Sequence, residues 1–282
     1  MLDDPTQIYL SDTPDGKQRI DFTELQRRIR LPLKFKIDLM DHLIEKAVKN
    51  HGDKIYVAWS GGKDSTVLVW RAIKIKPDIK VLFNNTFIEH PSTLKFVRDY
   101  SKLWNLNFIE TKPKMYFRQV VLKEGYPEMR RQNREPLCCK TLKIQPSVDV
   151  IKEHKIDCII DGVTASESFP RRLAGATFGC MYWMKTNMPW RMEKVRPILY
   201  WTVEDVWKYI KDNKIPYTPE YDVNLKLFGK RGRVGCMLCT GYIGWDKVMA
   251  RKLPKLYRKI MKEMREWGDP RAKNLITDFG HN

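Results

Sequence analysis

Residues 57–66 read Val-Ala-Trp-Ser-Gly-Gly-Lys-Asp-Ser-Thr, an apolar strand that runs into two glycines and then into the start of a helix. This order directs several backbone N–H groups and a helix N-terminus toward one point, which is the geometry of an anion site. The glycines allow a sharp turn and a close approach of the ligand to the backbone. The stretch therefore predicts a phosphate-binding loop formed by Ser60, Gly61, Gly62, Lys63, Asp64 and Ser65.

The spacing of this loop differs from the Walker loop, whose Gly-x4-Gly-Lys-Ser/Thr pattern serves γ-phosphoryl transfer. The Ser-Gly-Gly-Lys-Asp-Ser order instead resembles the pyrophosphate loop of the adenine nucleotide α-hydrolase superfamily, whose members bind ATP or an adenylated sulfate. Lys63 would add a mobile positive charge, and the serine hydroxyls would donate to phosphate oxygens. The alternative is a glycine turn that only joins a strand to a helix.

Apolar runs of strand length alternate with helical patterns along most of the chain. Strands are predicted at residues 55–59, 81–83, 108–109, 158–163 and 195–199. Helices are predicted at residues 33–50, 65–74, 91–103, 144–154, 203–213 and, as a basic pair, 244–267. The alternation predicts an α/β fold, a doubly wound, mostly parallel sheet with helices on both faces. Ligands of such sheets bind at the carboxyl ends of the strands, where the glycine loop lies.

Composition limits the class of protein. The chain has 282 residues, of which 43% are hydrophobic and 30% charged, as in soluble globular proteins. It has no apolar run near the roughly 20 residues that span a bilayer, and its first residues lack a signal pattern, so we expect a cytoplasmic protein without a membrane partner. The net charge of +18 favours either a nucleic acid partner or lysines that are simply solvated around a nucleotide pocket.

Three segments follow from these patterns. Residues 1–50 are predicted to be an N-terminal extension with one helix, residues 51–243 a nucleotide-binding catalytic domain, and residues 244–282 a helical C-terminal extension. The sequence contains no internal repeat and no low-complexity linker. Dimerisation through the terminal helices is an expectation of the same analysis.

Four of the six cysteines form two pairs, Cys138 with Cys139 and Cys236 with Cys239. In an intracellular chain, such pairs indicate metal ligation or redox chemistry rather than a disulfide. Four thiolates suit Zn²⁺ or a [4Fe–4S] cluster. Adjacent side chains on an extended chain diverge, which favours the larger cluster over one small ion. Zinc and a redox dithiol stay open as alternatives.

The flanks of these cysteines resemble the signatures of iron–sulfur sulfonucleotide reductases, the phosphoadenylyl and adenylyl sulfate reductase family. The resemblance extends over most of residues 52–242. Residues 85–91 are similar to its second substrate loop, residues 162–172 to its arginine loop, and residues 196–222 to the segment before its second cysteine pair. Lys143 matches a family lysine that lies between cluster and sulfate.

The resemblance implies roles for individual residues. It implies that the metal ligands are Cys138, Cys139, Cys236 and Cys239. It implies that the nucleotide is held by Asn85, Thr86, Gly162, Glu167 and Ser168 together with the glycine loop. The candidate catalytic residues are Lys140, Lys143, Arg171 and Arg172, which would bind sulfate or phosphate oxygens and neutralise charge on departing sulfite. Solvated surface charges are the alternative for the lysines and arginines, and helix capping is the alternative for Glu167 and Asp64.

This sequence departs from the family at several positions. Phe87 replaces a glycine of the second substrate loop, and residues 240–282 contain no cysteine, whereas the reductases carry a nucleophilic cysteine near the C-terminus. Cys158 lies in a predicted core strand, which leaves Cys180 as a spare thiol. The electron donor is not predicted.

Three functions are therefore compared. The first is an iron–sulfur reductase that converts 3′-phosphoadenylyl or adenylyl sulfate to sulfite. The second is an ATP pyrophosphatase that adenylates tRNA or DNA for sulfur insertion. The third is a nucleotide-binding protein with a structural metal. The cysteine pairs with Lys143 favour the reductase, whereas the charge and the absent tail cysteine favour the pyrophosphatase. From the sequence we expect the thiolate centre to lie beside the nucleotide cleft.

Overall fold

A computed structural model describes residues 20–128, 137–229, 234–241 and 244–273. These residues form two compact units. The first unit contains residues 20–84, 92–111 and 147–218. The second unit contains residues 85–91, 112–146 and 219–273 where they are described.

A six-stranded sheet forms the centre of the first unit. Its strands are β1 (Ile55–Ala58), β2 (Lys80–Asn84), β3 (Asn107–Thr111), β4 (Cys158–Ile160), β5 (Met181–Met184) and β6 (Met192–Val195). The spatial order is β3-β2-β1-β4-β6-β5, with every neighbouring pair parallel except β5 and β6. The prediction of a mostly parallel α/β fold is confirmed.

The helices of both units follow in chain order. They are α1 (Phe22–Ile29), α2 (Leu33–His51), α3 (Lys63–Ile75), α4 (Pro91–Leu103), α5 (Phe117–Glu124), α6 (Leu137–Cys139), α7 (Gln145–Glu153), α8 (Phe169–Phe178), α9 (Val203–Asp212), α10 (Glu220–Phe228), α11 (Trp245–Lys252) and α12 (Pro254–Glu266). A π-helical turn, Lys140–Ile144, joins α6 to α7, and a 3-10 turn covers Pro270–Lys273. Every predicted helix is confirmed. None of the described helices is long and apolar enough to cross a membrane.

Alternating side chains place the central strands between two apolar layers. On β1, Val57 packs into one cluster of buried residues and Tyr56 into another, because successive strand residues point to opposite faces. Leu82 and Val81 of β2 divide in the same way. A sheet buried on both faces therefore explains why these strands read as continuous apolar runs.

The strands β4 and β6 differ in their bounds from the predicted ones, and the strand β5 was not predicted at all. β4 ends at Ile160, short of the predicted residue 163, and β6 covers Met192–Val195 where residues 195–199 were predicted. Pro197 lacks an N–H for the ladder, and the chain turns there through a bond from the Leu199 N–H to the Arg196 carbonyl, 3.1 Å. The edge strand β5 was not predicted.

The second unit has its own apolar core. It is built from buried side chains of α5, α11 and α12 and from Leu142 of the π-helical turn. The α12 helix contributes Tyr257, Ile260, Met261 and Met264, which recur at helical spacing. Residues 244–273 thus share a core with residues 112–146, and helices α1 and α2 belong to the first unit. The boundaries predicted at residues 50 and 243 do not coincide with this division, because each unit combines segments that are remote in sequence.

Candidate functional site

The glycine loop connects β1 to α3 in the first unit, and its own hydroxyl groups shape it. The Ser65 hydroxyl lies 3.0 Å from the Ser60 hydroxyl, accepts from the Ser60 N–H at 3.1 Å and donates to the Gly62 carbonyl at 3.0 Å. The N-cap of α3 is Gly62, which has no side chain with which to cap the helix. The positive end of the helix dipole at this N-terminus favours an anion.

Two glycines give this loop its close packing. Gly61 has a φ of +71°, and a Cβ on it would lie 2.7 Å from the Cγ2 of Thr93 and 2.9 Å from that of Val97. A Cβ on Gly162 would lie 3.0 Å from the backbone nitrogen of Ser65. Gly162 therefore lies directly against the start of α3, so the structure brings together two predicted parts of the nucleotide site, residues 60–65 and Gly162.

The two charged residues of the loop pair with each other. The Lys63 ammonium lies 2.7 Å and 2.9 Å from the two carboxylate oxygens of Asp64, and the Lys63 side chain is buried. Binding of a phosphate by Lys63 would therefore exchange one anionic partner for another. Its role as a phosphate ligand stays a prediction.

The predicted second substrate loop belongs to the second unit. The Thr86 N–H and hydroxyl both donate to the Glu89 carboxylate, at 2.9 Å and 2.6 Å. The Asn85 side-chain oxygen accepts from the Phe87 N–H at 3.0 Å. Phe87 has a φ of +63°, a left-handed conformation that is strained for a bulky residue, and its ring lies 5.3 Å from that of Tyr116.

The four paired cysteines converge in the same unit. The Cys236 sulfur lies 4.0 Å from the Thr86 hydroxyl. Cys138 is hydrogen-bonded to Cys139 and interacts electrostatically with Cys239 and Cys236. The predicted substrate loop and the predicted thiol centre are therefore adjacent.

The spacing of these sulfurs tests which metal they fit. In a tetrahedral zinc site with Zn–S bonds of about 2.3 Å, all sulfurs lie about 3.8 Å apart. Here no three of the four sulfur atoms, all of which are described, lie within 4.8 Å of one another. This spacing departs from that of a single tetrahedral zinc site, and an iron–sulfur cluster on these four thiols stays a prediction.

The neighbourhood of the thiols also carries an electrostatic signature. The hydrogen bond to Cys139, burial and the nearby sulfur charges together raise the pKa of Cys138. Burial lowers the pKa of Lys143, but the Cys236 sulfur, which accepts a hydrogen bond from this ammonium, and Glu89 and Cys139 outweigh it, so the pKa is raised. Lys143 is therefore a cation held against the Cys236 sulfur, close to Glu89 and Cys139.

The second candidate lysine of this turn differs from the first. Lys140 is exposed, whereas Lys143 is partly buried and bonded to Cys236. Both lie in the π-helical turn that follows Cys139, and such turns occur often at functional sites. Of the two lysines, Lys143 is the one that the described contacts place at the thiol centre.

Backbone carbonyls outside the cysteine pairs hold the loop of Cys236 and Cys239 in place. The Met237 N–H donates to the Ile88 carbonyl at 2.8 Å. The buried Thr240 hydroxyl donates to the Pro127 carbonyl at 2.7 Å. These bonds attach the loop of the second cysteine pair to the substrate loop and to the segment before the first cysteine pair.

Arg271 strengthens the second of these attachments. Its guanidinium donates to the carbonyls of Pro127 at 2.7 Å, Tyr126 at 3.1 Å and Thr240 at 3.4 Å. Asp269 accepts from the Nε of the same guanidinium at 2.9 Å and fixes its orientation. We call Arg271 and Asp269 the arginine clamp.

The predicted arginine loop, residues 162–172, is non-helical as far as Ser168 and then forms the first turn of α8. Ser168 caps α8 by accepting from the Arg171 N–H, and Glu167 forms an ion pair with Arg171. The Nε of Arg172 is buried without a hydrogen-bond partner within the described residues. Ser168 and Glu167 thus already serve a helix cap and an ion pair, while Arg172 presents a donor that a sulfate or phosphate could use.

The two remaining cysteines are core residues of the first unit. Burial raises the pKa of Cys180 to about 12, and Arg28, Arg196 and a hydrogen bond with Tyr200 only partly oppose this. Burial also raises the pKa of Cys158. Since the thiolate is the nucleophile, neither residue is suited to attack a substrate.

Two further candidate residues were not singled out from the sequence. Glu89 holds Thr86 and faces Lys143, and its place in the quoted substrate loop was the available signal. Arg196 follows the carboxyl end of β6, is buried, and has an Nε and an Nη1 without hydrogen-bond partners among the described residues. It lies 3.7 Å from Asp161, which follows β4. A charged residue directly after a buried strand was the signal there.

The fold and these sites define an α/β nucleotide-binding protein with a four-cysteine centre. The family model of the phosphoadenosine phosphosulfate reductase domain matches residues 54–242, about two thirds of the chain. The chain therefore belongs to this family, and the family suggested by its motifs is confirmed.

Sequence relatives fall into two groups. Two uncharacterized proteins of Methanocaldococcus jannaschii are 29% and 27% identical, over 78% and 93% of this chain but only 50% and 54% of their own lengths. An adenosine 5′-phosphosulfate reductase of Staphylococcus epidermidis is 28% identical, over 70% of this chain and 75% of its own length. The chain thus spans about half the length of the first two relatives.

Among solved structures, a phosphoadenylyl-sulfate reductase from Candida auris superposes with a TM-score of 0.52 at 18% identity, covering 70% of this chain and 87% of that one. An FMN adenylyltransferase from Candida glabrata also gives 0.52, at 12% identity, over 76% and 68%. These similarities support the α/β nucleotide-binding fold.

Proposed function

We propose that this protein is an oxidoreductase that acts on a sulfonucleotide and releases sulfite. The observation that carries the proposal is the contact of Lys143 and Thr86 with Cys236, because it joins a thiol centre to the predicted substrate loop. Family membership and the adenosine 5′-phosphosulfate reductases among the relatives support the same class of reaction.

The residues divide the work between binding and charge compensation. In the first unit, the loop of residues 60–65 and the N-terminus of α3 would bind the phosphates of the nucleotide. In the second unit, the Lys143 ammonium would stabilise the negative charge that develops on the sulfite leaving group. Thr86, held by Glu89, would keep the substrate loop in position beside Cys236.

The donor set fits a [4Fe–4S] cluster held by Cys138, Cys139, Cys236 and Cys239. When bound, such a cluster supplies low-potential electron-transfer chemistry. In the balanced reaction, two electrons from an external low-potential donor break the bond between sulfur and the bridging oxygen. The nucleotide keeps that oxygen and takes up a proton, and the sulfur leaves as sulfite.

The test uses anaerobically purified, iron-loaded protein with adenylyl sulfate or 3′-phosphoadenylyl sulfate and a low-potential electron donor. We expect sulfite and the corresponding nucleotide in equal amounts, and a preference between the two substrates. A Lys143→Met variant should keep its iron and lose most of this activity. Iron-loaded wild-type protein that releases no sulfite from either substrate would contradict the proposal.

A second function is favoured by one surface. The exposed residues of α11 and α12 include seven cations, Lys247, Arg251, Lys255, Arg258, Lys259, Lys262 and Arg265. Together with the net charge of +18, this surface suits a nucleic acid, as expected if the protein adenylates tRNA or DNA for sulfur insertion. Pyrophosphate release from ATP that requires tRNA or DNA would establish this function, and its loss in Lys255→Glu/Arg258→Glu/Lys259→Glu would assign it to the surface.

A further inference from the structure

A cluster of chemically reactive side chains lies at the amino edge of the sheet in the first unit. The α2 helix ends at His51, β4 begins at Cys158, and Glu193 is the second residue of β6. Cys158 is paired in register with Glu193 on one side and with Ile55, the first residue of β1, on the other. The cluster therefore lies at the opposite edge from the glycine loop, which follows the carboxyl end of β1.

The ligand atoms of this cluster face one another. One nitrogen of His51, the Cys158 sulfur and a Glu193 carboxylate oxygen all lie within 4.8 Å of one another, the single such group among the described residues. The His51 Nε2 lies 2.8 Å from Glu193 and its Nδ1 lies 2.7 Å from Asp157. Asp157 therefore orients the imidazole from outside, while Nε2 points toward Glu193. This is the arrangement that histidine ligands of metals have with their outer carboxylates.

The cluster is also buried. Cys158 is fully buried, Glu193 is 8% exposed, and the ring of Trp183 covers His51 with its edge at 6.3 Å between ring centroids. In the absence of a metal, a proton on His51 would link the two carboxylates, whose hydrogen bonds raise the pKa of His51, with that of Glu193 the largest effect and burial opposing it. A buried carboxylate needs a cation beside it, which either a protonated imidazole or a metal ion can supply.

We propose that His51, Cys158 and Glu193 bind one divalent transition-metal ion of the zinc class, with Asp157 holding the imidazole in position. The nitrogen, sulfur and oxygen donors match the ligands of such ions. Tetrahedral coordination with bonds of about 2.0 Å would place the nitrogen and oxygen about 3.3 Å apart, so the present 2.8 Å contact opens by about 0.5 Å. This site is independent of the four-cysteine centre and of the proposed function.

Charge balance gives the site a measurable property. On binding, the ion replaces the proton on His51 Nε2 and the proton of the Cys158 thiol, so about two protons are released per ion. The total charge of the cluster stays the same, and the buried groups remain compensated. The ion would join the end of α2 to the starts of β4 and β6.

The experiment uses Co²⁺ as a spectroscopic probe in a full-length background with Cys138, Cys139, Cys236 and Cys239 changed to Ser. After circular dichroism has verified the fold, we expect one equivalent of Co²⁺ to bind with thiolate-to-cobalt charge-transfer absorption. Adding Cys158→Ser should abolish this absorption, whereas Cys180→Ala, the matched buried thiol, should retain it. Asp157→Asn should weaken the affinity about 10- to 100-fold.

A second measurement does not depend on that background. In iron-loaded wild-type protein exposed to Zn²⁺, metal analysis should find one zinc ion per chain in addition to the iron, and none after Cys158→Ser. The proposal is overturned if the folded background binds no Co²⁺, if the charge-transfer absorption survives Cys158→Ser, or if the zinc content of wild type and Cys158→Ser is the same.

Discussion

The glycine loop of the first unit and the cysteine centre of the second are assembled over very different distances in sequence. The loop is one strand–turn–helix segment whose hydroxyls bond to neighbours within five residues. The cysteine pairs are nearly one hundred residues apart, and carbonyls of Pro127 and Ile88 hold the second pair in place. The glycine loop is therefore shaped by its own residues, whereas the cysteine centre depends on residues outside the centre that do not contact its ligand. Five variants test this difference, beginning with the largest expected effect.

Replacing a proposed cluster ligand should abolish the function of the cysteine centre and leave that of the glycine loop intact. Cys236→Ser removes one of four thiolates, so we expect iron and sulfide content to fall at least roughly tenfold. Sulfite production should be lost with it. Nucleotide binding measured by calorimetry should persist, because the glycine loop has its own supports. A Cys236→Ser protein that retains wild-type iron content would show that Cys236 is not a ligand.

Lys143 tests the charge at the cysteine centre without removing a ligand. Lys143→Met should lower kcat by about 10²-fold with little change in KM, since a cation aimed at developing charge acts mainly in the transition state. Lys140 is exposed, so Lys140→Met should lower kcat much less. The control is Lys152→Met, on the exposed face of α7. Equal losses in Lys140→Met and Lys143→Met would remove the distinction drawn from their contacts.

Gly61 tests the packing of the local site. Gly61→Ala combines a left-handed φ with a clash against Thr93 and Val97. We expect the free energy of unfolding to fall by about 2–4 kcal/mol and nucleotide affinity to weaken with it. Gly52→Ala, which also has a positive φ but faces open space, should lower it only by the backbone strain, about 1–2 kcal/mol. The free energies of unfolding are measured with denaturant. Equal values for Gly61→Ala and Gly52→Ala would contradict the predicted clash with Thr93 and Val97.

The arginine clamp tests the remote supports. Arg271→Met leaves the carbonyls of Tyr126, Pro127 and Thr240 without their shared donor, so the two cysteine-bearing segments lose a common anchor. We expect the cluster to be lost about tenfold faster when a chelator is added, followed by visible absorption. Arg271→Lys should recover only part of this effect, because an ammonium cannot reproduce the planar fork. Arg265→Met, which is exposed, should behave like wild type.

Cys180 provides the smallest expected effect. Because its thiol is buried and its pKa is raised to about 12, Cys180→Ala should leave sulfite production unchanged within about twofold. The same variant should keep the iron content of wild type. A substantial loss of activity with full iron content would assign this thiol a part in the reaction.

The contrast also explains how much the sequence alone predicts. Period and turn chemistry located strands β1 to β4, the glycine loop and seven helices, namely α2, α3, α4, α7, α9, α11 and α12, because these depend on neighbours in the chain. The helices α1, α5, α8 and α10 were not predicted. The edge strand β5 was missed because its four residues, Met-Tyr-Trp-Met, form a short run that is only partly buried, and because it pairs antiparallel. The strand β6 ends at Val195, before the predicted residue 199, because Pro197 cannot donate to the sheet.

Within the sites, spacing found the cysteines and Lys143, but it could not rank Lys140 against Lys143. That ranking depends on which lysine meets Cys236, a residue remote in sequence. The arginine clamp carries no sequence signal at all, since Arg271 is one cation among 52 lysines and arginines. The predicted proximity of the thiol centre to the glycine loop stays a prediction.

Arg271 also has a consequence for biosynthesis. The ribosome releases both cysteine pairs before this arginine, yet the arginine connects the segments that precede and follow them. A nascent chain that already displays its four thiols therefore still lacks the tie between their loops. Stable insertion of iron and sulfide should consequently follow the emergence of residue 271, and a stalled chain that ends before it should accept the cofactor only transiently.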